Sequence, residues 1–209
     1  MMFISRIEMP WDCVRNPYEI HRCLWRLFPG EGKEARGALE EERQGFLFRV
    51  EQYAAGRPVR VLLQSRLAPA AAEGLALLGT RRFDPQPEAG QSLAFVLTAN
   101  PVKTVVDSLK DDKPGKRSAT VRVPLVKEEE QRAWLIRKLA PGAEVEQATV
   151  LAHEPIYFRK SNRAGKIVSA TFEGVLRVRD GAGLRDMLAK GIGPAKSFGC
   201  GLLLLRRTS

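Results

Sequence analysis

Lys166-Ile-Val-Ser-Ala-Thr-Phe-Glu-Gly-Val-Leu-Arg-Val-Arg179 is the stretch that decides the fold. Val168, Ala170, Phe172, Gly174, Leu176 and Val178 stand at every second position and share one face, the pattern of a strand with one side buried. Residues 144 to 160 are a second extended run, so the two form a long hairpin. The tip between them, Arg159-Lys160-Ser161-Asn162-Arg163-Ala164-Gly165-Lys166, is basic and projects into solvent. Moving outward, a helix is expected over 127 to 140, where Glu128 and Arg132 stand one turn apart, and a strand over 91 to 99. A basic excursion rich in Asp and Lys, 110 to 122, separates those two. On the other side a helix over 183 to 190 and a buried last strand over 200 to 205 close the set. Strand, helix, hairpin, helix, strand is the βαββαβ order of a ferredoxin-like unit.

The first half repeats that order. Residues 2 to 8 alternate apolar and polar, and Asn16-Pro17 supplies an N-cap and a first-turn proline for a helix through Phe28. After a polar, Glu-rich loop, residues 45 to 52 and 58 to 65 read as a hairpin turned at Ala54-Ala55-Gly56. An Ala- and Leu-rich helix is expected over 68 to 78, stopped by Gly79, with a short closing strand over 80 to 84 before Pro85-Gln86-Pro87. The expected fold is therefore α+β, two tandem ferredoxin-like (RRM-like) βαββαβ domains. Residues 1–88 carry the first helix, and 89–209 carry the basic hairpin and a glycine-rich loop. Two such sheets side by side make a cleft, although the fold by itself does not name a function.

The 209 residues hold 34 Lys and Arg against 24 Asp and Glu, a formal net charge of +10. Residues 1 to 90 carry 13 basic and 12 acidic groups, whereas 91 to 209 carry 21 and 12. A cationic second half is the footprint of a nucleic-acid binder, because neutralising phosphates drives association; surface charge also serves solubility. No run reaches the roughly 18 apolar residues of a membrane span, and the N-terminus enters a strand pattern without a leader. The expected place of action is the cytoplasm, with no membrane partner. Cys13, Cys23 and Cys200 form neither an even set nor a metal-ligand spacing, and only His21 and His153 could join them. Neither a disulfide framework nor a zinc site is expected.

On the first helix Ile20, Leu24, Leu27 and Phe28 make the packing stripe. Tyr18, His21, Arg22 and Trp25 stand on a different face. Cutting RNA without a metal requires removing the proton of a 2′-hydroxyl, protonating the departing 5′-oxygen and stabilising charge on a phosphorane-like transition state. An imidazole titrates nearest neutrality, a phenol can position or donate a proton, and a guanidinium can hold phosphate with two parallel bonds. The same triple also fits a second packing patch. His153, in a strand beside Pro155, reads as structural.

Gly191-Ile-Gly-Pro-Ala-Lys-Ser-Phe-Gly-Cys-Gly201 follows a helix and precedes a strand, the reverse of the order that phosphate-cradling nucleotide loops need. Pro194 also lacks a backbone donor where such a cradle wants one, so no cofactor is expected. Gly191 fits a helix C-cap. Gly193, Lys196 and the pair Gly199 and Gly201 fit a loop that an RNA backbone can approach closely.

This loop resembles the signature glycine-rich loop of the RAMP superfamily of CRISPR-associated proteins, and its wording is nearest the CasE family of repeat endoribonucleases. His21-Arg-Cys-Leu-Trp-Arg-Leu-Phe-Pro29, Ala99-Asn-Pro-Val-Lys-Thr104, Arg122-Val-Pro-Leu-Val-Lys127 and Phe172-Glu-Gly-Val-Leu176 agree with it. The resemblance implies a metal-independent endoribonuclease that cleaves CRISPR repeat RNA at the base of its stem-loop by 2′-hydroxyl attack and leaves a 2′,3′-cyclic phosphate. It implies retention of the mature crRNA among the other subunits of a Cascade complex. His21 matches the family's catalytic histidine and Tyr18 its neighbouring tyrosine. RNA contacts are expected from Arg22, Lys103, Arg159, Lys160, Arg163, Lys166, Lys196, Gly193 and Gly199. The competing expectation is a noncatalytic double RRM-like RNA-binding protein in which Tyr18 and His21 are ordinary contacts. A small-molecule enzyme on the same scaffold is a third.

Overall fold

The computed structural model of the chain describes residues 1–30, 45–106, 120–160 and 163–208. Its first half runs β1 (Met2–Met9), α1 (Trp11–Val14), α2 (Pro17–Leu24) continued by a 3-10 turn (Trp25–Leu27), β2 (Phe46–Gln52), β3 (Val59–Ser65) and β4 (Ala76–Phe83). These strands form one antiparallel sheet in the order β2-β3-β1-β4. Alternation decides the buried face, which carries Ile7 and Met9 of β1, Phe46 and Phe48 of β2, and Val59, Val61 and Leu63 of β3. The expected stripe Ile20, Leu24, Leu27 and Phe28 packs onto that face. Asn16 caps α2 as expected, in extended conformation (φ −100°, ψ 119°) with its side chain accepting from Tyr18 N–H. The Glu-rich loop lies outside the described residues.

The helix expected over 68 to 78 is not there. Pro69 lacks an N–H and drives the residue before it away from helical conformation, and Ala70 N–H donates to Leu27 O at 2.9 Å. The chain then turns tightly at Gly74 (φ +71°), where Ala72 and Leu75 form an isolated bridge. From Ala76 it pairs with the vacant edge of β1, Glu8 against Ala76 and Ile7 against Leu77, with an irregularity before Arg6 meets Gly79. Gly79 is thus inside a strand rather than past a helix. The closing strand begins four residues earlier than expected, and no helix stands between β3 and β4.

The second half runs β5 (Ser92–Ala99), β6 (Val102–Val106), β7 (Thr120–Pro124), α3 (Glu128–Leu139), β8 (Ala143–Lys160), β9 (Arg163–Val178), α4 (Gly181–Lys190), a 3-10 turn (Lys196–Phe198) and β10 (Leu203–Arg207). Its antiparallel sheet has the order β10-β5-β9-β8, the ferredoxin-like arrangement expected. Ala170, Phe172, Leu176 and Val178 of β9 enter one core with Leu93, Phe95 and Leu97 of β5, Trp134, Leu135 and Leu139 of α3, and Leu184 and Leu188 of α4. Glu128, Glu129 and Glu130 open α3 while Arg137 and Lys138 end it, charges that suit the helix dipole at both ends. The arms of the basic excursion pair as a separate ribbon, β6 with β7, while residues 107 to 119 lie outside the described part. The last strand sits three residues later than expected, because Gly201 (φ +94°) is held in the preceding loop, its N–H donating to Thr98 O at 2.7 Å.

The halves meet where Leu47 and Gln64, on the face of the first sheet away from its core, reach the end of α4. Gln64 Nε2 donates to Leu188 O at 2.7 Å, satisfying one of the carbonyls that the last turn of a helix leaves open. A Cβ on Gly191 would come within 2.7 Å of the Leu47 side chain, so the glycine allows the contact. The glycine-rich loop is thereby set between the two sheets.

Candidate active site

α2 presents His21 to a pocket of aromatic rings. The imidazole centroid is 5.2 Å from Phe46, 6.0 Å from Trp25 and 6.4 Å from Phe48. Burial there penalises the imidazolium and lowers the pKa of His21 from 6.5 to about 4, so the ring is neutral at pH 7.

Tyr18, one turn earlier, faces the second half of the chain. Its ring stands 6.3 Å from Phe158 of β8 and 6.1 Å from Phe198 of the glycine-rich loop, and those two are 4.5 Å from each other. The Lys160 ammonium lies over the Tyr18 ring at 5.6 Å. Gly165 across the hairpin makes room, since a Cβ there would overlap the Phe158 ring. Phe158 and Phe198 had no sequence signal, because they lie 140 or more positions from Tyr18 and meet it only through the fold.

Arg22 does not join its helix neighbours directly: its exposed guanidinium pairs with Glu19 at 2.8 Å. The arms of the hairpin are strands as far as they are described. Strand pairing continues to Arg159 against Ala164 and Lys160 against Arg163. Strand alternation therefore divides the basic side chains between two faces. Lys160 and Arg163 share the face of Phe158, toward α2, while Arg159 and Lys166 share the face of Tyr157, over which the Lys166 ammonium lies at 5.3 Å. All four are exposed.

The glycine-rich loop touches α2 and β2 through its 3-10 turn, and Lys196 opens that turn. Gly193 (φ +77°) and Gly199 (φ +83°) point their missing Cβ positions at Trp134 and Phe48 respectively, so both admit close packing against this chain's own rings. Phe48 thus touches His21 on one side and the loop on the other. Ala195 adopts a left-handed conformation (φ 63°) that nothing in the sequence announces. Cys200 is buried and its thiol is pushed up to about 12, so no thiolate is available for chemistry at neutral pH. Lys103 stands on the β6–β7 ribbon, its ammonium 3.4 Å from Glu130 of α3. His153 is structural as expected: its Nε2 is 2.8 Å from Gln131 Oε1, and Gln131 in turn donates to Leu125 O.

The model of the CRISPR associated protein family matches residues 2–207. The chain is 39% identical over 204 residues to the CRISPR system Cascade subunit CasE of Escherichia coli (strain K12), covering 98% of both chains. It is 33% identical over 209 residues to the CRISPR-associated endoribonuclease Cse3 of Thermus thermophilus, covering 91% of this chain and 90% of that one. Among solved structures it is similar to the CRISPR-associated protein Cas6e of E. coli, with a TM-score of 0.82 and 37% identity over 99% of this chain and 100% of that one. It is also similar to T. thermophilus Cse3 bound to an RNA representing a pre-cleavage complex, with a TM-score of 0.76 and 28% identity over 98% of each.

Proposed function

The chain belongs to the family of CRISPR-associated proteins, and from that membership and its site we infer that it is an endoribonuclease that processes CRISPR repeat RNA and remains with the mature crRNA as a subunit of a Cascade complex. The observation that carries the reading is the neutral, half-buried His21 on the same helix as Tyr18, beside a glycine-rich loop and a basic hairpin. A neutral imidazole has a lone pair free at pH 7, so His21 takes the proton of the 2′-hydroxyl. The 2′-oxygen attacks the adjacent phosphorus, the bond to the 5′-oxygen breaks, and the Tyr18 hydroxyl supplies the proton that the departing oxygen needs. The products are a 2′,3′-cyclic phosphate and a 5′-hydroxyl. Both proton transfers are made by side chains, so the reaction proceeds without a metal.

Affinity rests on the cations around that helix. Lys160 and Arg163 on one face of the hairpin and Arg159 and Lys166 on the other straddle the base of the repeat stem-loop. Arg22 exchanges Glu19 for a phosphate, a small loss because exposed ion pairs are worth about 1 kcal/mol or less. Lys196, with Gly193 and Gly199 beside it, meets the backbone in the cleft, and Lys103 extends the basic surface along the ribbon. Residues 1–88 form the domain that carries the catalytic helix and 89–209 the domain that carries the hairpin and loop, a division supported by two separate cores. Among the described residues no helix is long and apolar enough to cross a membrane, and the proposed place of action is the cytoplasm.

Hairpin repeat RNA incubated with the protein in EDTA tests the reading. Wild type yields discrete fragments ending in a cyclic phosphate, and His21→Ala yields none while still retaining the RNA. Retention by both proteins without cutting would leave a binding protein rather than a nuclease.

A further inference from the structure

Tyr18 and His21 act on a bond that the other half of the chain must hold still, so the angle between α2 and the hairpin matters as much as either group. One side chain spans the two. Asn16 Oδ1 accepts from Tyr18 N–H at 3.3 Å and from Arg159 N–H at 3.1 Å, and Asn16 Nδ2 donates to Arg159 O at 2.7 Å. β8 is the last strand of its sheet, so the N–H and C=O of alternate residues on its outer side lack a strand partner. Arg159 is such a residue, and the carboxamide of Asn16 meets it as a neighbouring peptide group would, with one bond given and one received.

The residues on either side complete the junction. Phe158 and Lys160 both turn toward Tyr18, at 6.3 Å and 5.6 Å, and strand alternation sends the Arg159 side chain to the opposite face. The hairpin thus holds α2 with one face while its backbone at Arg159 is fixed and its guanidinium stays exposed.

We propose that Asn16 is a positioning residue for RNA cleavage: by capping α2 and pairing with the Arg159 backbone, it locks the helix that bears Tyr18 and His21 in register with the hairpin that holds the RNA. This rests on the reading of His21 and Tyr18 as the reacting groups. A helix cap alone needs only a short acceptor. The second function needs an amide that reaches Arg159 and both donates and accepts. Asn16→Ser keeps the first and lacks the second, and Asn16→Asp keeps the cap but sets a carboxylate oxygen against Arg159 O.

Single-turnover cleavage of hairpin repeat RNA, the Kd for the same RNA and the Tm are measured for wild type, Asn16→Ser, Asn16→Asp and His21→Ala. Misplacement of reacting groups by about 1 Å lowers rates by up to about a hundredfold, so both Asn16 variants are expected to cleave at least about tenfold more slowly, with Kd within about twofold and Tm unchanged. Wild-type rates in Asn16→Ser would overturn the proposal, as would a loss of rate that merely follows a weaker Kd or a lower Tm. Should His21→Ala cleave like wild type, the assignment of the reacting groups fails instead, a result separable from either outcome for Asn16.

Discussion

The His21 imidazole lies 5.2 Å from the ring of Phe46, tilted 42° to it, in the pocket whose burial lowers the histidine pKa to about 4. Because kcat/KM reports the ionisations of the free enzyme, the acid limb of cleavage should follow that value. A base that is neutral down to about pH 5 keeps kcat/KM level to that point, and the loss becomes tenfold per unit only below about pH 4. Cleavage kinetics at subsaturating RNA from pH 4 to 8 check this. A limb centred near 6.5 would show that the imidazole is solvated when it works.

The same shift makes a stability prediction. An unfolded histidine titrates near 6.5 and the folded one near 4, so between those values the unfolded chain binds a proton that the folded chain refuses. The stabilisation is complete above 6.5, fades as pH falls and is gone by about 4. The full shift corresponds to about 3 kcal/mol, and about 2 kcal/mol after allowing for the part of the ring that solvent reaches. Urea unfolding at pH 7.5 and 4.5 should show wild type losing most of that, about 1.5 kcal/mol, beyond what His21→Leu loses, since the leucine has nothing to titrate there. Equal losses in the two proteins would remove His21 as the source.

What the sequence made legible was whatever is decided within one element. The alternation from Val168 to Val178 placed β9 and its buried face, and Asn16-Pro17 placed the start of α2. Two misplacements have a common cause, a segment whose conformation depends on a distant partner. The Ala- and Leu-rich run before Gly79 satisfies helix composition, yet the open edge of β1 recruits it as β4 and leaves Leu78 exposed. The basic hairpin tip looks like a loop, but Lys160 pairs with Arg163 and the cations split by face. Tyr18 and His21 stood out as candidates because a phenol and an imidazole one turn apart suit proton transfer, a spacing that fits a packing patch equally well. Arg22 shares their spacing, but Glu19 one turn back takes its guanidinium. The rings around the two, Phe46 and Phe48 of β2, Phe158 of β8 and Phe198 of the glycine-rich loop, arrive from three other places and carry no local mark.

Gly193 offers a test of why the loop holds its glycines. Its φ is +77°, and a Cβ would stand 2.8 Å from Cζ2 of Trp134, itself buried and stacked on Phe172 at 6.5 Å. Gly193→Ala combines left-handed strain with overpacking and should cost about 2 to 4 kcal/mol. Gly56 has a similar φ of +73° with nothing within 4 Å, so Gly56→Ala carries the strain alone, about 1 kcal/mol. Urea midpoints for the two variants decide it, and equal losses would remove the packing explanation.

The split faces of the hairpin allow grip to be tested apart from chemistry. Arg159 and Lys166 lie on the face away from α2, and Lys160 lies over Tyr18. Each phosphate contact removed should lower the slope of log K against log salt by roughly 0.7 to 0.9. Arg159→Ala and Lys166→Ala are therefore expected to weaken RNA binding and flatten the salt dependence by about that much each, with the rate from bound RNA unchanged. Lys160→Ala should do the same and also slow cleavage of bound RNA, since the ammonium that sits on the tyrosine ring is lost. Kd values from 50 to 300 mM salt, paired with single-turnover rates at saturating protein, measure both quantities. If Lys160→Ala slows cleavage no more than Arg159→Ala does, the two faces are equivalent and the hairpin serves affinity alone.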